Sequence, residues 1–284
     1  MQRKVLKVIN TPKVMMGNIE IGQPIPSSPI EQISPFILLH YAEPKYIAPG
    51  MKPMDIGPHP HRGFEPVSFV FQGYIGHKDS LGNERVIGPG GVQWMTAGRG
   101  IVHSEGAPQS YFEEGGNLEM IQLWINLPAE HKMTTPKYQP ASKEEIPFVE
   151  TDGTRVNIVS GNYKGITGPI DSITDIEAFT LEMRKDGNVS IPSYGNRNIL
   201  LYQLRGKSII NNHQVGNQQL VLFDNQDGGI EIKSSEETVI LFLSGEPIDE
   251  PMVSHGPFVM NSTTEIMEAM RDYSTGKMGV MTEY

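Results

Sequence analysis

Apolar and polar positions alternate along this chain in short runs, with few long amphipathic stretches. Val67–Phe71, Gly91–Met95 and Leu118–Leu127 read as strands, because a period of two sends successive side chains to opposite faces of a sheet. A second set follows at Val156–Val159, Phe179–Met183, Ile199–Leu204, Leu220–Phe223 and Thr238–Leu243, bounded by Gly, Asn and Asp. The pattern predicts two strand-rich blocks joined by Pro128–Pro147, whose prolines and Lys132, Lys137, Lys143, Glu144 and Glu145 read as a solvated connector. One helix is expected near the end. Ser262-x-x-Glu265 has the spacing of a capping box, Ile266, Met267, Met270 and Tyr273 follow at helical intervals, and Gly276 is a stop. Its Met/Tyr stripe is expected to pack on a domain, without chemistry of its own.

The blocks read as diverged copies. Phe71-Gln72-Gly73 and Leu204-Arg205-Gly206 each close a strand, a constant offset of 133 that also sets the strand starting near Tyr194 against the one starting near His61. Many short strands in two sequential copies predict an all-β protein of two sandwiches or barrels. The division expected is 1–130 for the first domain, 131–147 for the linker, and 148–284 for the second domain with the terminal helix.

Composition narrows the chemistry. Among 284 residues there are 30 Gly and 22 Pro, which favour turns over long helices, and no Cys. Disulfides, zinc ribbons, iron–sulfur clusters and thiol nucleophiles are thereby excluded, so any metal must be held by His, Asp or Glu. The 23 Lys+Arg against 33 Asp+Glu leave a net charge of −10, a poor match for a phosphate backbone; direct nucleic-acid binding is not expected. The basic start, Arg3, Lys4 and Lys7, precedes no apolar run of signal-peptide length, and no stretch has the length of a membrane span. With the missing disulfides, this predicts a cytoplasmic protein, or a nuclear one in a eukaryote.

The histidines carry the sharpest signal. His40, His77, His131, His213 and His255 have no partner at ligand spacing, except that His77 precedes Asp79 in a hairpin and reads as a turn residue. The other three form His59-x-His61 and His103-x-Glu105. On a strand, residues i and i+2 share a face, so each pair projects two ligand groups in one direction. Two such strands facing each other across a barrel would converge four ligands on one metal. An isolated H-x-H is more often solvated or hydrogen-bonded than metal-bound; the later H-x-E, beyond Gly-rich hairpin signals at Gly82-Asn83, Gly88–Gly91 and Gly98–Gly100, shifts that balance. With no bulge, His59, His61, Gly63, Glu65, Val67, Phe69 and Phe71 share one face, the apolar interior, and the histidines open it at one end. Trp94 and Trp124 lie in strand-like runs and read as core, and neither a phosphate loop nor a G-x-S-x-G nucleophile motif is present.

The run His59-Pro-His-Arg-Gly-Phe-Glu65, the run Gly90-Gly-Val-Gln-Trp-Met-Thr-Ala-Gly-Arg-Gly-Ile-Val-His-Ser-Glu105, the segment Glu119–Leu127 and His255-Gly-Pro-Phe-Val-Met-Asn261 together resemble the pirin family of the cupin superfamily. The resemblance spans most of the chain and implies a bicupin, two jelly-roll barrels in tandem with one metal in the first. It implies three His and one Glu as ligands, at His59, His61, His103 and Glu105, and iron as the usual metal, with copper, manganese, nickel or zinc as alternatives. Other cupins take their carboxylate from H-x-H-x₃-E, which His59-x-His61-x₃-Glu65 also fits; the closer resemblance assigns it to Glu105 and leaves Glu65 beside the ligands or the pocket. Positions 192 and 194, the counterparts of 59 and 61, are Pro and Tyr, so the second block is expected to bind no metal.

Three imidazoles and a carboxylate leave coordination positions open for a substrate and dioxygen, and some proteins of the resembled family act on flavonols as quercetin 2,3-dioxygenases. The expected function is a monomeric dioxygenase of a flavonol such as quercetin, with Glu105, or Glu65 if it is free, as the proton acceptor. The alternative the resemblance carries is non-enzymatic: a redox-responsive iron protein that docks a transcription factor or metabolic enzyme, with Arg62 and Arg99 beside the ligand strands as candidate transmitters. The remaining alternative is a structural metal with no reaction, visible as a chelator-sensitive melting temperature.

Overall fold

A computed structural model describes residues 1–16, 19–28, 30–51, 56–193 and 195–281; Tyr194, the expected counterpart of His61, lies outside the described residues. Strands dominate, and contacts divide the chain into two compact units, neither of them continuous. The first barrel is built from 14–21, 36–143 and 248–284, the second from 1–13, 22–35 and 144–247. Each holds a seven-stranded and a four-stranded antiparallel sheet, and the chain is a pair of jelly-roll barrels with a short terminal helix, as the strand pattern predicts.

In the first barrel the large sheet runs Lys137–Ala141, Val92–Thr96, Phe64–Gln72, Gly116–Asn126, Phe36–Ile47, Ile19–Ile25 and Lys13–Met16. The small sheet runs Ile56–His61, Ile101–Gly106, Ile75–Asp79 and Glu84–Ile87. The second barrel repeats the plan: Val5–Asn10, Gln219–Phe223, Asn198–Arg205, Thr238–Gly245, Ile176–Met183, Thr154–Ser160 and Phe148–Thr151, with Asn188–Ile191, Ile230–Ser234, Ser208–Ile210 and His213–Val215 in the small sheet. The strands ending at Gln72 and Arg205 occupy the same place in the two orders, and each is followed by a glycine of positive φ, +79° at Gly73 and +91° at Gly206. The offset of 133 therefore survives as backbone geometry.

The division into domains differs from the expected one at both ends and in the middle. Val5–Asn10 is an edge strand of the second barrel, paired with Gln219–Phe223. The connector is not a free linker: Lys137–Ala141 pairs with Val92–Thr96, and Lys132 is buried. Its ammonium donates to the carbonyls of Gly63 and Val259 and to Asn126 Oδ1, at 2.8, 3.0 and 2.6 Å, which supplies the partners that a buried charge requires. Burial still lowers its pKa to about 8, against the raising influence of Glu250 and Glu265.

The terminal helix, Thr263–Ser274, belongs to the first barrel and not to the second. Half of its capping box forms as expected, with Ser262 Oγ accepting from the Glu265 amide; the Glu265 carboxylate reaches back one residue further and accepts from the Asn261 amide at 3.0 Å. The buried face is different. Ile266 and Ala269 pack with Val102, Phe258, Met260 and Met278, while Met267, Met270 and Tyr273 are exposed. The stripe at 266, 267, 270 and 273 winds around the helix; only its Ile266 edge meets the barrel.

Candidate metal centre

The two histidine motifs meet as neighbours within one sheet, not across the barrel. Ile56–His61 pairs antiparallel with Ile101–Gly106, and His59 lies opposite His103. Directly opposed residues share a face, and so do His59 and His61, so three imidazoles cluster with ring centroids 4.3–4.9 Å apart. His59 Nδ1 donates to the Gly57 carbonyl at 2.9 Å and His61 Nδ1 to the Pro257 carbonyl at 3.3 Å. A carbonyl only accepts, so both rings carry their proton on Nδ1 and aim an Nε2 lone pair inward. Those two Nε2 atoms stand 3.1 Å apart with no proton between them, and the nearby His103 Nε2 is buried without a partner.

Three lone pairs converging on one point are a poor arrangement unless a cation sits there. Leaving His103 Nε2 unpaired alone costs on the order of 1–3 kcal/mol. Burial, reinforced by neighbouring His59, lowers the His61 pKa to about 3 despite the opposing pull of the Pro257 carbonyl. Burial and the three surrounding histidines hold His103 well below the usual imidazole range. These two rings are neutral at pH 7, the form that binds a metal. His59, His61 and His103 thus fit a divalent first-row metal.

Glu105 lies beside the same cluster, two residues beyond His103. The register slips between His103 and Glu105, so Glu105 pairs with Ile56, and its oxygens accept from Ser68 Oγ at 3.1 Å and Gln122 Nε2 at 3.0 Å. Its carboxylate is grouped with His77 and His103, outside the group of His59, His61 and His103. It also faces a pocket walled by Ile21, Ala42, Ile56, Ile75 and Met120, with Gln122 and His40 as further polar groups. Burial lowers the His40 pKa to about 4, so that histidine too is neutral at pH 7.

Glu65 and the expected interior face are corrected together. The strand carrying the histidines stops at His61 and a new one starts at Phe64, with Gly63 at φ +86° between them. Only glycine fits there: a Cβ would sit 2.0 Å from the Val259 carbonyl oxygen. The break switches parity. Phe64, whose ring is 5.0 Å from that of His61, and Ser68, bonded to Glu105, define the inward face of the new strand. Glu65 therefore points the other way, fully buried, accepting from Thr96 Oγ1 at 2.6 Å. It neither joins the ligands nor lines the pocket.

The two tryptophans part company. Trp94 is core, as expected. Trp124 is only half-buried and flanks the site, 5.4 Å from His61 and 4.4 Å from Phe64, with a buried indole N–H that has no partner. The tail also contributes. Pro257 holds His61, the Val259 amide donates to the Arg62 carbonyl, and the Arg62 guanidinium bonds the Arg99 carbonyl at 2.6 Å and Asp272 of the terminal helix at 3.0 Å. Sequence reading missed Ser68, Gln122 and the tail, which only strand pairing and long-range packing bring to the histidines.

Two jelly rolls, the first holding a largely buried three-histidine cluster, define a two-domain cupin with a metal-site candidate in its first barrel. Residues 18–125 match the family description Pirin, and residues 178–279 match Pirin C-terminal cupin domain. The chain belongs to the pirin family. It is 36% identical to "Pirin-like protein" of Solanum lycopersicum, over 91% of this chain and 85% of that one. It is 37% identical to "Putative quercetin 2,3-dioxygenase PA2418" of Pseudomonas aeruginosa, over 87% of each. The crystal structure of quercetin 2,3-dioxygenase from Acinetobacter baumannii superimposes with a TM-score of 0.91 at 32% identity, covering 99% of this chain and 100% of that one. Among the described residues, no helix is long and apolar enough to cross a membrane.

Proposed function

We propose that the first barrel holds one redox-active metal ion, iron, on His59, His61 and His103, and that the protein is an oxidoreductase adding dioxygen to a flavonol such as quercetin. The observation that carries this reading is the convergence of the Nε2 atoms of His59 and His61, 3.1 Å apart, with the buried, unpartnered Nε2 of His103. The similarity to quercetin 2,3-dioxygenase supports the substrate class. Bound iron supplies Lewis acidity and a one-electron couple.

The chain's own residues supply the rest. Ile21, Ala42, Ile56, Ile75 and Met120 wall a narrow apolar cleft of about 20 Å³ beside Glu105, which takes a flat substrate once these side chains move apart. Glu105, held by Ser68 and Gln122 on the side of the cluster facing that pocket, accepts the proton of the substrate hydroxyl and, as the family resemblance implies, is the carboxylate of the site. His40 is a second polar group in the wall and positions the substrate's oxygen substituents. The test is quercetin-dependent oxygen uptake by the iron-loaded protein. Turnover that persists without oxygen, or an unchanged rate in His61→Ala, would overturn the proposal.

A second reading, redox-dependent docking of a regulatory or metabolic protein, is favoured by one observation. His61 and Arg62 are bonded to the tail at Pro257 and Asp272, and the helix carrying Asp272 exposes Met267, Met270 and Tyr273. That supplies a physical route from a ligand to an outer surface. Hydrogen exchange in residues 263–274 that is identical in the oxidised and reduced iron forms would remove it.

A further inference from the structure

His77, read from sequence as a turn residue, is buried at 2% exposure and stands directly behind His103. Its Nε2 lies 3.1 Å from Asp79 Oδ2 and its Nδ1 lies 3.5 Å from His103 Nδ1, at the long end of hydrogen-bond reach. His77-x-Asp79 shares a strand face, and the strand is the neighbour of the His103 strand, with Asp79 opposite His103. Each member of the set is held in place. Asp79 accepts from Asn83 Nδ2 at 2.8 Å, from the Leu81 amide at 2.9 Å and from the Asn83 amide at 3.1 Å. Tyr138, on the connector strand, stacks on the His77 ring at 4.1 Å with an interplanar angle of 6°, and its hydroxyl donates to Gln93.

The protons in this set follow from counting donors. Asp79 is a carboxylate; burial pushes its pKa up, but the bonds from His77, Asn83 and Leu81 outweigh it and hold it low. It therefore accepts, and His77 Nε2 carries the proton that it receives. With Nε2 as the donor to Asp79, His77 Nδ1 is the nitrogen that faces His103 Nδ1, and we take it as the acceptor. Two lone pairs would repel, so His103 carries its proton on Nδ1 and presents a bare Nε2. That Nε2 is the buried atom without a partner beside His59 and His61.

We propose that Asp79 and His77 are positioning residues for the metal, a two-step relay that fixes the tautomer and plane of His103 so that its Nε2 is always the ligating nitrogen. The backbone carbonyls of Gly57 and Pro257 do the same for His59 and His61 in one step. The first barrel thus prepares all three lone pairs before any ion arrives. This rests on the metal reading above but is measured separately from any turnover.

The experiment uses two variants of the whole chain. In His77→Gln the amide oxygen still accepts from His103 and the amide nitrogen still donates to Asp79; in His77→Leu neither bond is possible. Long-range ¹H–¹⁵N spectra of the metal-free protein report the protonated nitrogens of each ring directly. His103 is expected to be protonated on Nδ1 in the wild type and in His77→Gln, and to show an Nε2–H population in His77→Leu. Titration calorimetry with Ni²⁺ alone is expected to show affinity reduced about 10–100-fold in His77→Leu and close to wild type in His77→Gln. A wild-type His103 protonated on Nε2 overturns the proposal, and so does nickel affinity equal in all three proteins. If His77→Leu fails to fold, the wild-type tautomer and the glutamine variant decide. A wild type that binds no nickel but has His103 protonated on Nδ1 would overturn the metal reading and leave the relay standing.

Discussion

The two barrels share a sheet plan and fill it in opposite ways. In the second barrel the space between the sheets is mostly apolar: Val189 and Ile191 are paired with Ile232 and Ile230, Leu201 and Phe242, also paired, join them in one cluster, and the buried Gln203 at its end is bonded to Ser208 and the Val215 carbonyl. The same offset of 133 that aligns the strand ends takes Ser68 of the first barrel to Leu201, and Gln122, the cross-strand partner of Ser68, corresponds to Phe242. So the two side chains that hold Glu105 have a leucine and a phenylalanine as counterparts. A filled barrel needs nothing further to be stable. A barrel with inward-facing polar groups must pair every one of them, because an unpaired buried donor or acceptor costs about 1–3 kcal/mol. The first barrel pairs the polar groups around its histidines through Gly57, Pro257, Ser68, Gln122 and His77, and leaves over the unpaired Trp124 N–H and three imidazole nitrogens that point at each other. The contrast makes that remainder informative.

The largest effect expected from breaking the contrast is in His61→Ala. Removing one of three ligands should abolish metal retention, read by elemental analysis, and quercetin-dependent oxygen uptake with it, while hydrogen-exchange protection in residues 148–245 stays unchanged. Phe242→Gln puts the first barrel's chemistry into the second. With no partner waiting for the amide, it should cost about 3–5 kcal/mol in denaturant unfolding, the scale of a large core truncation. A loss below about 1 kcal/mol would mean that the second barrel tolerates an unpaired polar group at this position and that the comparison is wrong.

Acid should separate the barrels next. His40 is neutral in the folded first barrel, with its pKa lowered to about 4 by burial, while the unfolded chain takes up its proton near 6.5. The unfolded state then binds more protons as pH falls, so stability declines from pH 6.5 down to about 4, by on the order of 1–2 kcal/mol at pH 5 from this group. His61, lowered to about 3, acts in the same direction in the metal-free protein and extends the window. In the second barrel Glu177 is raised by burial, so folding favours its protonated form and it works in the opposite sense. Barrel-resolved hydrogen exchange at pH 7 and pH 5 should show the first barrel losing protection more than the second.

A smaller effect is expected in Gln122→Leu, which brings one wall of the first barrel closer to the apolar plan. Glu105 loses one of its two donors, and kcat/KM for quercetin should fall about tenfold, the worth of one charge-assisted hydrogen bond. The smallest belongs to the exposed helix face: Met267→Lys should change stability by less than about 0.5 kcal/mol, since that side chain is largely exposed. A larger shift in a melting experiment would mean that the face is covered in solution.

Local signals were legible wherever local geometry decides. His59, His61 and His103 come together because H-x-H lies on one strand face and strand pairing aligns His103 with it. The capping box, the strand ends at Gly73 and Gly206 and the absence of a histidine pair in the second block follow from spacing that no tertiary contact reverses. Glu65 was misplaced because alternation was carried through Arg62-Gly63. The parity switch there depends on the close approach of the Val259 carbonyl, from a segment nearly two hundred residues away. The connector looked solvated because Lys132 and its neighbours are polar, yet the cage that pairs Lys132 is assembled from Gly63, Asn126 and Val259.

Residue types and short-range order determined which chemistry is open to this chain: no thiol, one cluster of imidazoles with a nearby carboxylate, and a strand repeat able to build two barrels. Only the tertiary structure decided how those groups are aimed. It turned Glu65 away and Glu105 toward a pocket, drew the tail onto His61, and set His77 behind His103. The reason is physical. Side-chain type and the alternation along a strand are properties of neighbouring residues, whereas the partner that fixes a proton or a lone pair is supplied by whichever distant strand packs against it.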